Sequence, residues 1–166
     1  MIGRERYALA LIGSLILIAL SSSISRSHCQ IPCGIYDDKM RFSTLAEHIT
    51  TIEKSMQQIL ELEKATPVNY NQIVRWVNNK DEHADAFAEI ITYYFLAQRI
   101  KPLGTQDEQA SHDYGNKLAL LHQMVFYAMK AKQTTDLGYV LKLRSLLDEF
   151  NQAYFGEKAG ESEHQH

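Results

Sequence analysis

The sequence predicts an all-α protein. The expected architecture is an antiparallel up-and-down four-helix bundle behind a non-helical N-terminal hook, with a cleavable hydrophobic leader in front of both. Three observations carry this. Only 3 prolines occur in 166 residues. No run alternates apolar and polar residues between turn signals, as a half-buried strand would. After residue 42, apolar residues recur at steps of three and four, the spacing of one helix face.

The leader spans residues 1–27. Arg4 and Arg6 form a positive start, and ALALIGSLILIAL (8–20) is a mostly apolar run. That run is shorter than the ~20 residues that span a bilayer, but it has the size of the apolar core of an export signal. Ser25 and Ser27 place small residues at the −3 and −1 positions of a cut before His28. The competing reading is an uncleaved N-terminal anchor. An export signal predicts a periplasmic or extracellular protein, and an anchor predicts membrane association. A propeptide cut inside the cell would instead leave the protein cytoplasmic.

Without the leader, 139 of the 166 residues remain, enough for one domain with its own core. The leader removes three basic residues (Arg4, Arg6, Arg26) and one acidic residue (Glu5) from totals of 17 and 20. The mature chain then has 14 basic against 19 acidic residues, a formal charge of −5. That balance argues against nucleic acid as a partner, because phosphate binding needs a basic face. There is no Gly-rich phosphate loop, zinc-finger spacing or HExxH.

Residues 28–42 form the hook. They carry no helical apolar face, and they contain Pro32 and Gly34. The first helix follows, in STLAEHITTIEKSMQQILELEKA (43–65). Leu45, Ile49, Ile52, Met56, Ile59 and Leu60 share a face. Ser43 or Thr44 is the expected cap, with Glu47 completing a capping box from Thr44. The second helical region runs from about Val68 to Ile100, with a break expected near Asn78-Asn79. The third spans about 106–133, with Leu118, Leu121, Val125 and Ala128 inward. The fourth spans about 135–155, with Leu137, Val140, Leu143, Leu147, Phe150 and Tyr154 inward. Short connections between four amphipathic helices predict antiparallel neighbours. The polar tail, about 156–166, is expected to fray.

The chemistry concentrates in HCQIPCGIY (28–36), which holds both cysteines of the chain. A disulfide between Cys29 and Cys33 would close so short a loop that it would restrict the unfolded chain little. Three intervening residues exclude a CxxC redox pair, and haem attachment would need CxxCH. One His and two Cys fall short of a four-ligand structural zinc site. If His28 is the mature N-terminus, its amine, the Cys29 amide nitrogen and the Cys29 thiolate form adjacent five-membered chelate rings. Cys33 can add a second thiolate through the turn allowed by Pro32 and Gly34. The result is a planar N2S2 set suited to Ni(II) or Cu(II), with the His28 imidazole available as an axial ligand. Such donors would stabilise Ni(III). A nickel or copper binding or trafficking protein remains the alternative to an enzyme at this point, and a structural bundle with an incidental disulfide is the third reading.

These residues resemble the nickel superoxide dismutase family, whose mature N-terminus reads H-C-x-x-P-C-G-x-Y. His28, Cys29, Pro32, Cys33, Gly34 and Tyr36 match every fixed position, and Gln30, Ile31 and Ile35 fill the variable ones. HITTIEKSMQQI, WVNNKDEHAD and YYFLAQRIKP look like the cyanobacterial or marine-bacterial branch. The resemblance implies disproportionation of superoxide to oxygen and hydrogen peroxide by Ni(II)/Ni(III) cycling, with one nickel ion per subunit. It also implies a homohexamer of four-helix bundles and a processing peptidase for the leader. The implied nickel ligands are His28 (amine and imidazole), Cys29 (amide and thiolate) and Cys33 (thiolate). Tyr36 would line the substrate approach. Tyr94 looks like the family's second tyrosine, and its competing reading is a bundle-core aromatic. The carboxylate partner of the imidazole stays open between Glu47 and a place filled by Leu45. The family's usual leader is a short propeptide, so the apolar leader here departs from it.

Overall fold

The structure is a computed structural model, described for residues 37–104 and 107–161, the side chains of 157–161 excepted. The expected leader and the expected ligands His28, Cys29 and Cys33, with Tyr36, lie outside the described residues. Four α-helices and no strand occur among the described residues. They are α1 (Asp38–Leu62), α2 (Tyr70–Glu89), α3 (Glu108–Gln133) and α4 (Gly138–Glu161), and α2 continues as a π-helical segment, Ile90–Arg99.

Helix α1 begins earlier than the apolar periodicity predicts. Asp37 is its N-cap, and its Oδ1 accepts from the Met40 N–H at 2.8 Å. This satisfies one of the amides that a helix start leaves open. Asp38 adds negative charge to the first turn, where the helix dipole favours it. Residues 38–42 are therefore helical and not part of a non-helical hook. Ser43 and Thr44 do not cap. Their hydroxyls donate to the Lys39 and Met40 carbonyls four residues back, at 3.2 and 2.9 Å.

No break occurs at Asn78-Asn79, and α2 runs straight through. Asn79 turns inward instead and donates to Ser55 Oγ at 2.8 Å. Helices α2 and α3 are capped by Asn69 and Asp107. Before α4, Asp136 Oδ1 accepts from the Gly138 N–H at 2.8 Å. A Cβ at Gly138 would stand 3.0 Å from that oxygen, so glycine makes the close approach possible.

Packing follows from the buried faces. Leu45, Ile49, Ile52, Met56 and Ile59 are buried on α1, as their spacing predicts. On α4, Val140, Leu143, Leu146, Leu147, Phe150 and Tyr154 are buried. The buried residues of α3 are Leu120, Leu121, Met124, Ala128 and Ala131, so its inward face is turned slightly from the expected one. Paired contacts set direction. His48 meets His83, Ser55 meets Asn79, and Asp38 meets Arg99. Tyr154 also meets Asp38, and Arg144 meets Glu53 at 2.6 Å. Residue numbers rise in α1 as they fall in α2 and in α4, so α1 runs antiparallel to both. Lys80, 2% exposed, donates to the Ala131 carbonyl at 2.9 Å and to the Lys132 carbonyl, closing the C-terminal end of α3.

One end of the bundle is aromatic. Phe42, Phe95, Phe150 and Tyr154 pack with ring centroids 5.1–5.7 Å apart. Such pairs add about 0.5–1.5 kcal/mol each beyond the area they bury. This is the end at which the chain enters α1.

Candidate functional site

Among the described residues, no group of three or more His, Cys, Asp or Glu side chains could hold a metal ion. Both thiols of the chain, Cys29 and Cys33, lie in the segment that precedes α1. Of the expected site residues, the structure therefore places Tyr94. It places it in a polar network at the aromatic end of the bundle.

Asp38 is the centre of that network. Tyr94 Oη donates to its Oδ1 at 2.6 Å, and Tyr154 Oη donates to its Oδ2 at 2.9 Å. Arg99 forks onto the same carboxylate, Nε to Oδ1 at 2.9 Å and Nη2 to Oδ2 at 2.7 Å. Arg99 Nε also reaches Tyr154 Oη at 3.1 Å. The Arg41 guanidinium lies 5.0 Å from the centre of the Tyr94 ring, within cation–π range. A two-pronged guanidinium–carboxylate pair with this little exposure is a strong, directional contact. It ties the start of α1 to the end of the π-helical segment and to α4.

The π-helical winding makes the network possible. Tyr94 and Arg99 are five residues apart. In an α-helix they would stand about 140° apart around the axis. Winding with i→i+5 bonds sets residues five apart nearly one above the other. The Ile100 N–H donates to the Phe95 carbonyl at 2.9 Å in this pattern. Both side chains then face Asp38, while Ile91 and Phe95 stay in the core.

The electrostatics keep Tyr94 neutral and Arg99 charged. Burial, and then the bond to Asp38, push the Tyr94 phenol well above its usual range, so it stays neutral. The bond to Asp38 raises the Arg99 guanidinium further still. Tyr94 is thus a committed donor inside the protein. Its proton is directed at Asp38 and its side chain is 1% exposed. Among the described residues, no buried side-chain polar atom lacks a partner.

The two residues weighed for the place of the imidazole's carboxylate partner, Glu47 and the apolar Leu45, part ways. Leu45 is fully buried in the core, and Glu47 is exposed on α1. Sequence reading missed Asp38 and Arg99. The adjacent aspartates 37 and 38 carry the signal of a cap followed by a first-turn acid, which a hook assignment obscures. It also missed the imidazole pair between α1 and α2, where His48 Nδ1 and His83 Nδ1 are 2.9 Å apart. One ring must donate and the other accept, so a single proton lies between them.

Comparison with known proteins supplies the remaining fact. Neither curated proteins nor solved structures gave a match. Residues 23–158, however, match the family described as nickel-containing superoxide dismutase. This span takes in the four-helix scaffold almost to its end and the whole His28–Tyr36 motif. The chain belongs to the nickel-containing superoxide dismutase family, whose members are oxidoreductases that act on superoxide with nickel as cofactor.

Proposed function

We propose that the mature chain begins at His28 and disproportionates superoxide at nickel held by residues 28–33. The observation that carries this is the complete His28-Cys29-x-x-Pro32-Cys33-Gly34-x-Tyr36 motif inside the matched span. The donor chemistry fits the metal, because thiolate sulfurs with nitrogen donors in a planar set suit nickel. The described bundle offers no rival cluster. The amine and imidazole of His28, the amide and thiolate of Cys29 and the thiolate of Cys33 would hold the ion. Bound there, nickel would supply a Ni(III)/Ni(II) couple that takes an electron from one superoxide and returns it to the next.

The chain's own residues do the rest. A peptide bond at His28 would abolish the amine donor, so removal of residues 1–27 creates the ligand set. Tyr36 is assigned to the substrate approach. Tyr94 is assigned a positioning role and not that of an acid, since its phenol is held neutral with its proton on Asp38. Homohexameric assembly and a leader peptidase complete the proposal. Exposed Met40, Tyr70, Val74, Phe126, Met129 and Leu141 support assembly by leaving apolar surface for it to cover. The apolar leader supports export.

The test uses nickel-loaded mature protein. Cys29→Ser and Cys33→Ser should each lose nickel and superoxide turnover while the far-ultraviolet circular dichroism stays that of the parent. A Cys33→Ser protein that kept both nickel and turnover would overturn the ligand assignment.

A further inference from the structure

We propose that His48 and His83 form an acid-sensitive latch between α1 and α2. The two rings stay joined through the first added proton and part at the second, which opens the seam around them while the four helices stay folded. This device is independent of the nickel reading.

The proton count decides the behaviour. The two Nδ1 atoms are 2.9 Å apart and the ring centroids 5.0 Å, so one Nδ1 donates and the other accepts. A first added proton can go to the outer Nε2 of the donating ring. That ring becomes an imidazolium, and its bond to the neutral ring becomes charge-assisted and stronger. A second added proton has only the accepting Nδ1 to go to. It removes the acceptor and sets two positive rings against each other. Burial and the neighbouring His83 hold the His48 pKa below its ordinary value, which marks His48 as the ring that takes this second proton. Glu47, exposed beside it on α1, favours the charged ring but acts more weakly than either. Glu82, beside His83 on α2, is exposed. The other charged groups along the seam are committed elsewhere. Lys80 of α2 holds Asp81 and the Ala131 carbonyl of α3, Asp85 of α2 holds Lys132 of α3, and Arg144 of α4 holds Glu53 of α1.

The surroundings let the latch open without the bundle. Both rings are half-buried, so each can turn to water once the bond is gone. Leu45, Ile49 and Ile52 on α1 and Ala84 and Phe87 on α2 are buried, and these apolar contacts do not titrate. About two turns further along α1, Asn79 still bonds Ser55. The latch is therefore closed above the ordinary imidazole range of about 6.5, opens as pH falls through the lowered value of His48, and closes again on return to neutral pH.

Amide hydrogen exchange of the whole protein, read by mass spectrometry at pH 7 and at about pH 4.5 and corrected for the intrinsic effect of pH, tests this. Segments 44–52 and 79–87 should lose protection by about tenfold, the factor that one pKa unit represents, while α3 and α4 keep theirs. His83→Gln should abolish the loss, because its amide can donate to a neutral His48 or accept from a charged one. His48→Gln is the mirror variant and should do the same, which keeps the test open if one of the two folds poorly. His122→Gln, which removes an exposed imidazole on α3, should behave as the parent does. Unchanged protection of both segments in the parent at about pH 4.5 would overturn the proposal. So would the parent's loss persisting in the folded latch variants, or a loss shared equally by all four helices, which would be general acid unfolding.

Discussion

At the scale of single residues, His28 would supply two different donors to the proposed site, its amine and its imidazole, and replacing it by Gln separates them. His28→Gln keeps the terminal amine and the planar set but has no imidazole, so nickel should stay bound. Turnover at fixed nickel occupancy should fall by a large factor, because the axial donor that favours Ni(III) is gone. Turnover equal to the parent's would remove the axial role while leaving the planar ligands standing. Tyr94 should behave differently. Tyr94→Phe deletes a bond to a charged acceptor, a change worth about 1.5–3 kcal/mol of stability, read by denaturant unfolding. Its nickel content should match the parent's, because the phenol is no ligand and Arg99 and Tyr154 still hold Asp38. A Tyr94→Phe protein that unfolded like the parent would show that the Asp38 bond contributes nothing. The family was legible from the residue types and spacing of 28–36, because that motif is contiguous in the sequence. The Asp38 network was not legible, because its partners meet only when three helical segments fold together.

At the scale of elements, apolar spacing located the helices well and their ends poorly. Leu45, Ile49, Ile52, Met56 and Ile59 lie on the buried face that the three- and four-residue steps imply. The start of α1 was obscured because Asp37, Asp38 and Lys39 carry no apolar periodicity, although Phe42 is 6% exposed and belongs to the core. The Asn78-Asn79 pair reads locally as a helix breaker, yet the bond from Asn79 to Ser55 on α1 holds it in the helix. The change to π-helical winding in IITYYFLAQR has no local signature. With this winding Tyr94 and Arg99 both reach Asp38.

The α1–α2 interface makes a pH prediction. Burial, and then the neighbouring His83, lower the His48 pKa, with Glu47 opposing. The unfolded chain takes up the proton near the ordinary value of about 6.5, whereas the folded chain resists it. Stability is therefore complete above about pH 6.5 and declines as pH falls toward the lowered folded value. His48→Gln removes the titrating group and should flatten this part of a melting-temperature profile. Equal slopes in parent and variant would remove His48 as the cause.

At the scale of the whole molecule, the proposed ligand segment precedes the four-helix scaffold in the chain, and its last proposed donor, Cys33, comes five residues before Asp38. The described helices hold no metal cluster of their own, and the proposed ligands precede them in the chain. In the proposed site, the ligand set would be complete only when His28 has a free amine. The central claim is thus a claim about one covalent bond, between Ser27 and His28. Native mass spectrometry of the active, nickel-loaded enzyme reads that bond and the metal in the same experiment. The account predicts that every active subunit has the mass of residues 28–166 with one nickel ion. Active subunits that still carried residues 1–27 would contradict it.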